Sequence, residues 1–307
     1  MRVLQLVPSA DSTAYRGQVR ALRAHGVDCA TLAVPGDHDP SANESRSPRD
    51  YLRHLVSAFR VRGAFDVVHA NQGVVAPTAL ALAGLPTVVS LWGSDLYGTL
   101  GPVSRACARL ADGVVVMSAA MAAELGTDCR VIPHGVDTER FRPGNTQTAR
   151  AELGWDDGHH VLFPYARERT VKNYPRAERI VDAAADGLGS DVSLHAVTGV
   201  PHDRMPTYFV AADALLLPSD HEGSPNAVKE ALACNLPVVS TPVGDVPERL
   251  DGVYPSETAA TDAGLATALA DVLARGERSN GREQVQELTR DRTASELAAV
   301  YREVLDG

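Results

Sequence analysis

The chain has 307 residues, more than a single hydrophobic core usually organises, so about two domains are expected. Hydrophobic residues make up 44% and charged residues 22%, which excludes a disordered chain. The 39 acidic and 29 basic residues give a formal net charge of −10, which argues against a general nucleic-acid-binding protein.

The first half of the chain alternates β-branched runs with amphipathic runs, which predict strands and helices. A first helix ends at Gly26, and Ser47 caps a second helix that begins at Pro48 and runs to Gly63. The predicted strands are residues 3–7, 29–34, 66–69, 87–91, 113–117 and 130–133. The further predicted helices are residues 77–83, 103–110 and 119–125.

Residues 141–144 (Phe-Arg-Pro-Gly) interrupt this alternation and are the candidate hinge, after which the pattern restarts. The predicted strands of the second half are residues 161–165, 192–197, 214–217 and 237–240. The predicted helices are residues 175–185, 205–211 and 225–233, with a largely helical tail from residue 261 that ends in a helix at 293–305.

Alternation of this kind predicts an α/β protein with parallel sheets covered on both faces. We predict two Rossmann-like domains, residues 1–140 and 141–290, that face each other across a cleft at the carboxyl ends of their strands. Residues 291–307 form a C-terminal helix expected to pack back toward the first domain.

The four cysteines form no Cys-x-x-Cys pair, and no histidine stands at zinc-ligand spacing from them. We therefore expect a reduced, cytoplasmic protein with neither a metal nor a cofactor. The apolar run at residues 3–7 is too short for a signal peptide and is better explained as a strand.

The segment at residues 219–232 predicts a strand end, a tight turn and a helix. Ser224 is the predicted cap of this helix, and Pro225 is its first residue. The free amides of Asn226 and Ala227 would then offer an anion site, because a helix N-terminus carries about half a positive charge.

Two carboxylates belong to this segment. Glu222 lies in the turn before the helix, within reach of sugar hydroxyls, and Glu230 lies one to two turns into the helix, where it would meet the other end of a nucleotide. The alternative is an ordinary capped helix with a solvent-facing Glu230.

Two cations follow an earlier strand. Arg167 stands at the carboxyl end of the strand, and Lys172, one of only two lysines in the chain, follows five residues later. Two fixed cations can neutralise the charge that develops on a departing diphosphate. The alternative is a solvated surface loop.

Several motifs, in this order along the chain, resemble glycosyltransferase family 4, which has the GT-B fold. The C-terminal motif resembles the branch that makes cell-surface polysaccharides, including transferases of the teichuronic-acid type. The motifs are Trp92-Gly93-Ser94-Asp95, Ile132-Pro133-His134-Gly135-Val136-Asp137, the Arg167–Lys172 spacing, Glu222-x7-Glu230, Pro237-Val238-Val239 and Val243-Gly244-Asp245-Val246-Pro247-Glu248.

The resemblance implies roles for these residues. Arg167 and Lys172 would bind the donor's diphosphate, Glu222 would bind the sugar, and Glu230 would bind the ribose hydroxyls. The amides of Gly223, and of Ser224 and Asn226 on either side of Pro225, would bind the sugar and the β-phosphate. The family retains the anomeric configuration and usually needs no metal.

The chain departs from the family pattern at three places. Ser9–Thr13, which includes Ser12, replaces the usual Gly-Gly loop near the donor phosphates. Trp92 stands where many members have a histidine, so that contact is lost. The segment after Gly199 and Val200, which normally helps to bind the nucleobase, is shorter than usual.

A metal-binding motif of another transferase fold is mimicked by Asp37-His38-Asp39. We interpret it as a surface turn, because it lies in a loop rich in proline and serine.

The acceptor side offers weaker candidates. His69 ends a strand and His134 lies in the turn before the hinge, so either could serve as a base, although such histidines are more often structural. Asp95, next to Gly93, is a better candidate whose alternative role is a local cap. Trp92 could narrow the sugar pocket or simply pack.

The helix at 48–62 carries Arg49, Arg53 and Arg60 beside five apolar or aromatic residues, Tyr51, Leu52, Leu55, Val56 and Phe59. Such a basic amphipathic helix could lie on an anionic membrane surface. The alternative is that its apolar side packs on the sheet and the arginines are solvated.

We therefore predict a retaining, metal-independent glycosyltransferase. It would move a sugar from a nucleoside diphosphate sugar, with UDP favoured over GDP, to a glycan or lipid-linked acceptor in surface polysaccharide or glycoconjugate synthesis. The protein would be cytoplasmic, at the inner face of the membrane if the helix at 48–62 binds there. The alternatives are a non-catalytic two-lobed sugar-binding protein and a GT-B epimerase or phosphorylase-like enzyme.

Overall fold

The computed structural model describes residues 1–36 and 46–307, and the chain divides into two compact units. The N-terminal unit comprises Met1–Gly135 and Arg290–Gly307, and the C-terminal unit comprises Val136–Thr289. Each unit contains a parallel sheet with helices, the α/β class that the sequence predicts.

The N-terminal unit has these strands: β1 (Arg2–Val7), β2 (Asp28–Ala33), β3 (Val67–Asn71), β4 (Thr87–Leu91), β5 (Gly113–Val116) and β6 (Arg130–Val131). Its helices are α1 (Thr13–Ala24), α2 (Pro48–Val61), α3 (Ala76–Leu80), α4 (Ser94–Tyr97), α5 (Gly101–Ala108) and α6 (Ala119–Leu125). The strands pair in the order β2-β1-β3-β4-β5-β6.

The C-terminal unit has these strands: β7 (His159–Phe163), β8 (Val192–Ala196), β9 (Ala214–Leu217), β10 (Val238–Ser240) and β11 (Glu257–Thr258). Its helices are α7 (Thr146–Leu153), α8 (Tyr174–Leu188), α9 (Met205–Ala211), α10 (Asn226–Ala233), α11 (Val246–Leu250), α12 (Asp262–Arg275) and α13 (Arg282–Val285). The strand order is β11-β10-β9-β7-β8.

The last helix, α14 (Arg290–Asp306), belongs to the N-terminal unit. It buries Leu297, Val300 and Tyr301 in the core of that unit. Its apolar side therefore packs, as its sequence pattern predicts.

Local sequence explains how the helices begin. Ser47 and Asp50 form a capping box at the start of α2, with Pro48 in the first turn. Ser12 Oγ accepts a hydrogen bond from the Tyr15 amide at the start of α1. The predicted start of the second helix at Pro48 is confirmed.

The structure differs from the predicted elements at several places, and α4, α11 and β11 are among the elements that the prediction lacks. Helix α7 is missing from the prediction because Ala149 is its only buried residue, so its sequence has almost no apolar periodicity. Strand β7 begins two residues earlier than predicted, since His159 pairs with Val192. Phe141, in the predicted hinge, is fully buried in the core of the C-terminal unit.

Candidate functional site

Three loops lie at the carboxyl edge of the C-terminal sheet, after the neighbouring strands β7, β9 and β10. The first two loops are joined by a hydrogen bond from the Asp220 amide to the Val171 carbonyl (3.0 Å). The last two are joined by Thr241 Oγ1, which donates to the Ser219 carbonyl (2.7 Å). Parallel strands end at the same edge, which is where α/β proteins bind ligands.

A buried ion pair connects the first two loops. Lys172, which is only 4% exposed, donates from Nζ to Glu222 Oε1. Its ammonium also lies 3.9 Å from the centre of the Tyr165 ring, in cation–π geometry. Burial lowers the pKa of Lys172, and Glu222 partly offsets that shift. The structure thus brings together two predicted site residues that are 50 positions apart.

Arg167 occupies a different environment from Lys172. It is exposed, and its guanidinium lies 4.6 Å from the centre of the Tyr174 ring at the start of α8. The two predicted cations therefore differ: one is buried and paired, and the other is a solvated side chain resting on an aromatic ring.

The start of α10 corrects the predicted cap. Pro225 occupies the N-cap position instead of Ser224, and no side chain in the described part of the protein caps this helix. Ser224 Oγ instead donates to Asp245 Oδ2 (2.8 Å). The amides of Asn226 and Ala227 therefore lie at an N-terminus without a side-chain cap, which suits an anion.

Lys229, the second lysine, is 1% exposed on the inner side of α10. Its ammonium donates to Ser224 Oγ (3.0 Å), which links α10 to the Asp245 carboxylate. Arg249 Nε donates to the same Asp245 oxygen at 2.9 Å. Burial lowers the pKa of Lys229 to about 8, and Asp245 opposes the shift.

Glu230 does not face the solvent, so the alternative of a solvent-facing side chain is wrong. Glu230 Oε1 lies 2.9 Å from His202 Nε2, and the Glu230 side chain is 17% exposed. The His202 ring also contacts an Arg140 guanidinium nitrogen at 3.3 Å. His202 follows Gly199 and Val200 in the loop after β8, so this loop contacts the residue predicted to bind ribose.

His69 has a structural environment in the N-terminal unit. It has no exposed surface, and its two ring nitrogens contact Tyr301 Oη (2.6 Å) and Ser90 Oγ (2.7 Å). Burial lowers its pKa to about 3, so the ring is neutral. A base must lie within hydrogen-bond reach of the acceptor hydroxyl, and a buried histidine with both nitrogens occupied does not. The prediction of His69 as an acceptor-side base is therefore wrong.

This histidine belongs to a larger buried polar network. Tyr301 Oη also accepts from Gln5 Nε2 (3.2 Å), Gln5 Oε1 accepts from Asn71 Nδ2 (2.7 Å), and Asn71 Oδ1 accepts from Gln18 Nε2 (2.8 Å). The network joins α1, β1, β3 and α14 without any charged side chain.

Asp95 is buried and accepts hydrogen bonds from three backbone amides, those of Gly73 (2.8 Å), Trp92 (2.9 Å) and Gly93 (2.9 Å). Burial raises its pKa, and the amides oppose that shift. Its described contacts fit the alternative role, in which it organises its own loop.

Trp92 and His134 contact each other edge to face, with ring centres 4.5 Å apart. The Trp92 indole nitrogen is buried and has no hydrogen-bond partner among the described residues. Ser12 is a helix cap, as described above. The structure therefore groups Trp92, Gly93, Asp95 and His134, and it leaves His69 and Ser12 with structural contacts.

Helix α2 packs only part of its apolar side, since Tyr51 packs against the core and Leu55 is half-buried. Leu52 is 61% exposed, Val56 43% and Phe59 42%, whereas His54 and Ala58 are the buried residues. The described residues include no helix long and apolar enough to cross a membrane. They also include no cluster of three or more side chains arranged to bind a metal. The sequence Asp37-His38-Asp39 lies outside the described residues.

Sequence reasoning missed three residues of this site: Tyr165, His202 and Lys229. Tyr165 was assigned to a strand, and His202 lies in a loop noted only for its length. Lys229 carried a usable signal, since a lysine among Ala227, Val228 and Ala231 on a short apolar helix is unusual.

Known proteins resemble this chain in sequence and in fold. A family model described as Glycosyltransferase Family 4 matches residues 13–140, and one described as Glycosyl transferases group 1 matches residues 171–275. TuaC of Bacillus subtilis, named as a teichuronic acid biosynthesis glycosyltransferase, is 31% identical over 213 residues, or 59% of this chain and 54% of that protein. Matches to the first curated relatives span 54% to 64% of their lengths.

Solved structures share the fold. Sucrose-phosphate synthase from Thermosynechococcus elongatus superposes with a TM-score of 0.75 at 21% identity, over 100% of both chains. HepE from Anabaena, solved with UDP and glucose, superposes with a TM-score of 0.73 at 16% identity, over 97% of this chain and 98% of that chain. The chain thus carries one domain matched by each of these two glycosyltransferase family models, in a structure with the GT-B architecture.

Proposed function

We propose that the protein is a retaining glycosyltransferase that moves a sugar from a nucleoside diphosphate sugar to a glycan or lipid-linked acceptor. The C-terminal unit binds the donor and the N-terminal unit binds the acceptor. The observation that carries the proposal is the Lys172–Glu222 pair beside the α10 N-terminus, which has no side-chain cap. Together they offer cations, amides and a carboxylate at one edge of a parallel sheet.

In this reaction the bond between the anomeric carbon and the diphosphate oxygen breaks, and its electron pair stays on the diphosphate. Lys172, the amides of Asn226 and Ala227, and Arg167 stabilise the charge that develops there. The acceptor oxygen forms the new bond on the same face of the sugar, and its proton passes to the departing diphosphate oxygen. Glu222 binds sugar hydroxyls, and Glu230 binds the ribose.

We propose UDP as the nucleotide and surface polysaccharide or glycoconjugate synthesis as the setting. HepE, of the same fold, was solved with UDP and glucose, and the TuaC name refers to teichuronic acid biosynthesis. These matches support the donor class and the type of product.

A thermal-shift panel with UDP, GDP and ADP tests the donor. A nucleotide at 100 times its Kd stabilises the protein by about 2.7 kcal/mol. UDP should give the largest shift, and no shift with any of the three would contradict the proposed function.

A transfer assay separates the alternatives. A transferase releases UDP faster with acceptor than without it, and NMR of the product should show the donor's anomeric configuration. A sugar-binding protein releases no UDP, an epimerase consumes donor without acceptor, and a phosphorylase-like enzyme depends on phosphate.

We further propose that α2 contacts the inner face of an anionic membrane, where a lipid-linked acceptor would lie. Residues 46–62 contain five arginines and one acid in a protein of net charge −10. Leu52, Val56 and Phe59 are exposed beside those arginines. Arginines attract anionic lipid and exposed apolar side chains enter the headgroup region, which supports lipid over a protein partner.

Vesicles of phosphatidylglycerol and of phosphatidylcholine test this contact. Wild type should sediment with the anionic vesicles, and Arg49→Ala/Arg53→Ala/Arg60→Ala should bind more than about 100-fold more weakly, at about 1 kcal/mol per arginine. The matched control is Arg20→Ala/Arg109→Ala/Arg302→Ala, three exposed arginines outside α2. Equal, salt-insensitive binding by both triple variants would rule out α2 as the contact.

A further inference from the structure

Lys229 is a fully buried lysine on a helix whose other inward residues are small or apolar. It is 1% exposed, and Val228, Ala231 and Leu232 beside it are equally buried. Burying an ammonium group is costly unless polar partners compensate it. The contacts of Lys229 therefore show what this charge does.

The hydrogen bond from Lys229 leads to the turn before α10. The Lys229 ammonium donates to Ser224 Oγ (3.0 Å), and the Ser224 hydroxyl donates to Asp245 Oδ2 (2.8 Å). Arg249 Nε donates to the same oxygen (2.9 Å). Lys229 and Arg249 thus bring two cations to Ser224 and the Asp245 carboxylate.

The turn is also packed closely from the other side. Gly244 has a φ of +58°, and a Cβ there would come within 2.5 Å of the Gly223 carbonyl oxygen. The loop after β10 thus lies directly against Gly223. Lys229 and Asp245 are both hydrogen-bonded to the next residue, Ser224. Side chain and backbone both fix the shape of this turn.

The two buried lysines hold different parts of the site. Lys172 is paired with Glu222, whereas the ammonium of Lys229 donates to Ser224 of the turn. At pH 7 its ammonium is mostly protonated, because burial lowers the pKa only to about 8.

We propose that Lys229 is a positioning residue for donor binding: through Ser224 and Asp245 it fixes the Glu222–Pro225 turn so that the turn's amides meet the donor's diphosphate. Lys229 does not touch the donor. It acts through the orientation of the turn and through the positive charge beneath it. This inference rests on the proposed function, because it names the diphosphate as the group recognised.

Comparing UDP with uridine, which lacks phosphates, tests this role. Lys229→Met keeps the length and apolar stem of the side chain and leaves Asp245 paired with Arg249, so the fold should survive. The Kd for UDP should rise about 10-fold, as expected for the loss of a charge-assisted hydrogen bond, while the Kd for uridine should stay within about twofold. Leu232→Met, on the same helix, is the control and should change neither Kd.

Ser224→Ala provides a second variant in case Lys229→Met does not fold. It removes the hydroxyl that links Lys229 to Asp245 and keeps the backbone amides. It should weaken UDP binding by a similar factor. The double variant Lys229→Met/Ser224→Ala should have the same Kd for UDP as the single variant with the larger loss, because both substitutions remove the same link.

The outcomes separate the two proposals. If wild type binds UDP and both single variants bind it equally well, the role of Lys229 is wrong and the proposed function stands. Equal losses of UDP and uridine binding would show a merely structural role and overturn the inference. If wild type binds no nucleoside diphosphate, the proposed function itself fails.

Discussion

The two units differ in their net charge and in the polar side chains that they bury. The N-terminal unit contains 15 basic and 15 acidic residues, and the network around His69 and Tyr301 in its interior is uncharged. The C-terminal unit contains 14 basic and 24 acidic residues, so it carries the whole net charge, and it buries charged side chains beside its loops. Lys172–Glu222 and Lys229–Asp245 are the clearest cases.

This difference helps to separate structural from functional polarity. A neutral network can satisfy its hydrogen bonds internally and favours one arrangement of the core. A buried ion pair often returns less energy than its desolvation costs, so it is weak evidence for stability. The buried charges of Lys172 and Lys229 fit the charged ligand that we propose, whereas the buried carboxylate of Asp95 organises its own loop.

The largest effect should come from the Lys172–Glu222 pair. Lys172→Met and Glu222→Gln should each reduce turnover by about 100-fold or more, the effect of losing one electrostatic stabiliser. Each single variant should also be less stable, because the remaining partner stays buried without its counter-charge. The measurements are donor turnover and thermal unfolding.

The double variant Lys172→Met/Glu222→Gln separates these two effects. It leaves no unpaired charge, so it should recover stability but not turnover. Recovery of turnover would show that the pair is structural, and the distinction between the units would fail.

The next effect concerns the neutral network. Tyr301→Phe leaves His69 Nδ1 and Gln5 Nε2 without their shared partner. We expect a loss of about 2 kcal/mol in the free energy of unfolding, measured in urea, with unchanged UDP binding. A large loss of UDP affinity would contradict the assignment of this network to structure.

The pH dependence of stability should report His69. Its pKa is lowered to about 3 in the folded protein, so below its ordinary pKa of 6.5 the unfolded chain takes up a proton that the folded chain does not. Its contribution is therefore lost as pH falls from 6.5 toward 3, by about 1.4 kcal/mol per unit. Urea unfolding of wild type and His69→Gln at several pH values should show a difference that shrinks with acid.

The smallest effect compares two serines that both look like caps in the sequence. Ser12→Ala should lower the free energy of unfolding by about 1 kcal/mol, because it removes the cap of α1, and should leave UDP binding unchanged. Ser224 caps no helix, and Ser224→Ala should instead weaken UDP binding about 10-fold. If both substitutions changed UDP binding to the same extent, the distinction between a structural and a donor-site serine would be wrong.

Local patterns predicted most elements well. The bounds of β4, α6, α9 and β9 agree with the sequence prediction at both ends. β-branched runs and amphipathic spacing are properties of neighbouring residues, so they are visible without the fold. The sequence prediction missed helix α7, because only one of its residues is buried and its apolar periodicity is therefore weak.

The sequence by itself determined the α/β class and the order of most elements, and through the family motifs it predicted Glu222, Lys172 and Glu230 as site residues. Only the tertiary structure decided their partners, since Lys172 meets Glu222 across 50 positions and His69 meets Tyr301 across 232. Periodicity states which side of an element is buried, but not which distant side chain lies opposite. Whether a polar residue serves the core or a ligand depends on that partner.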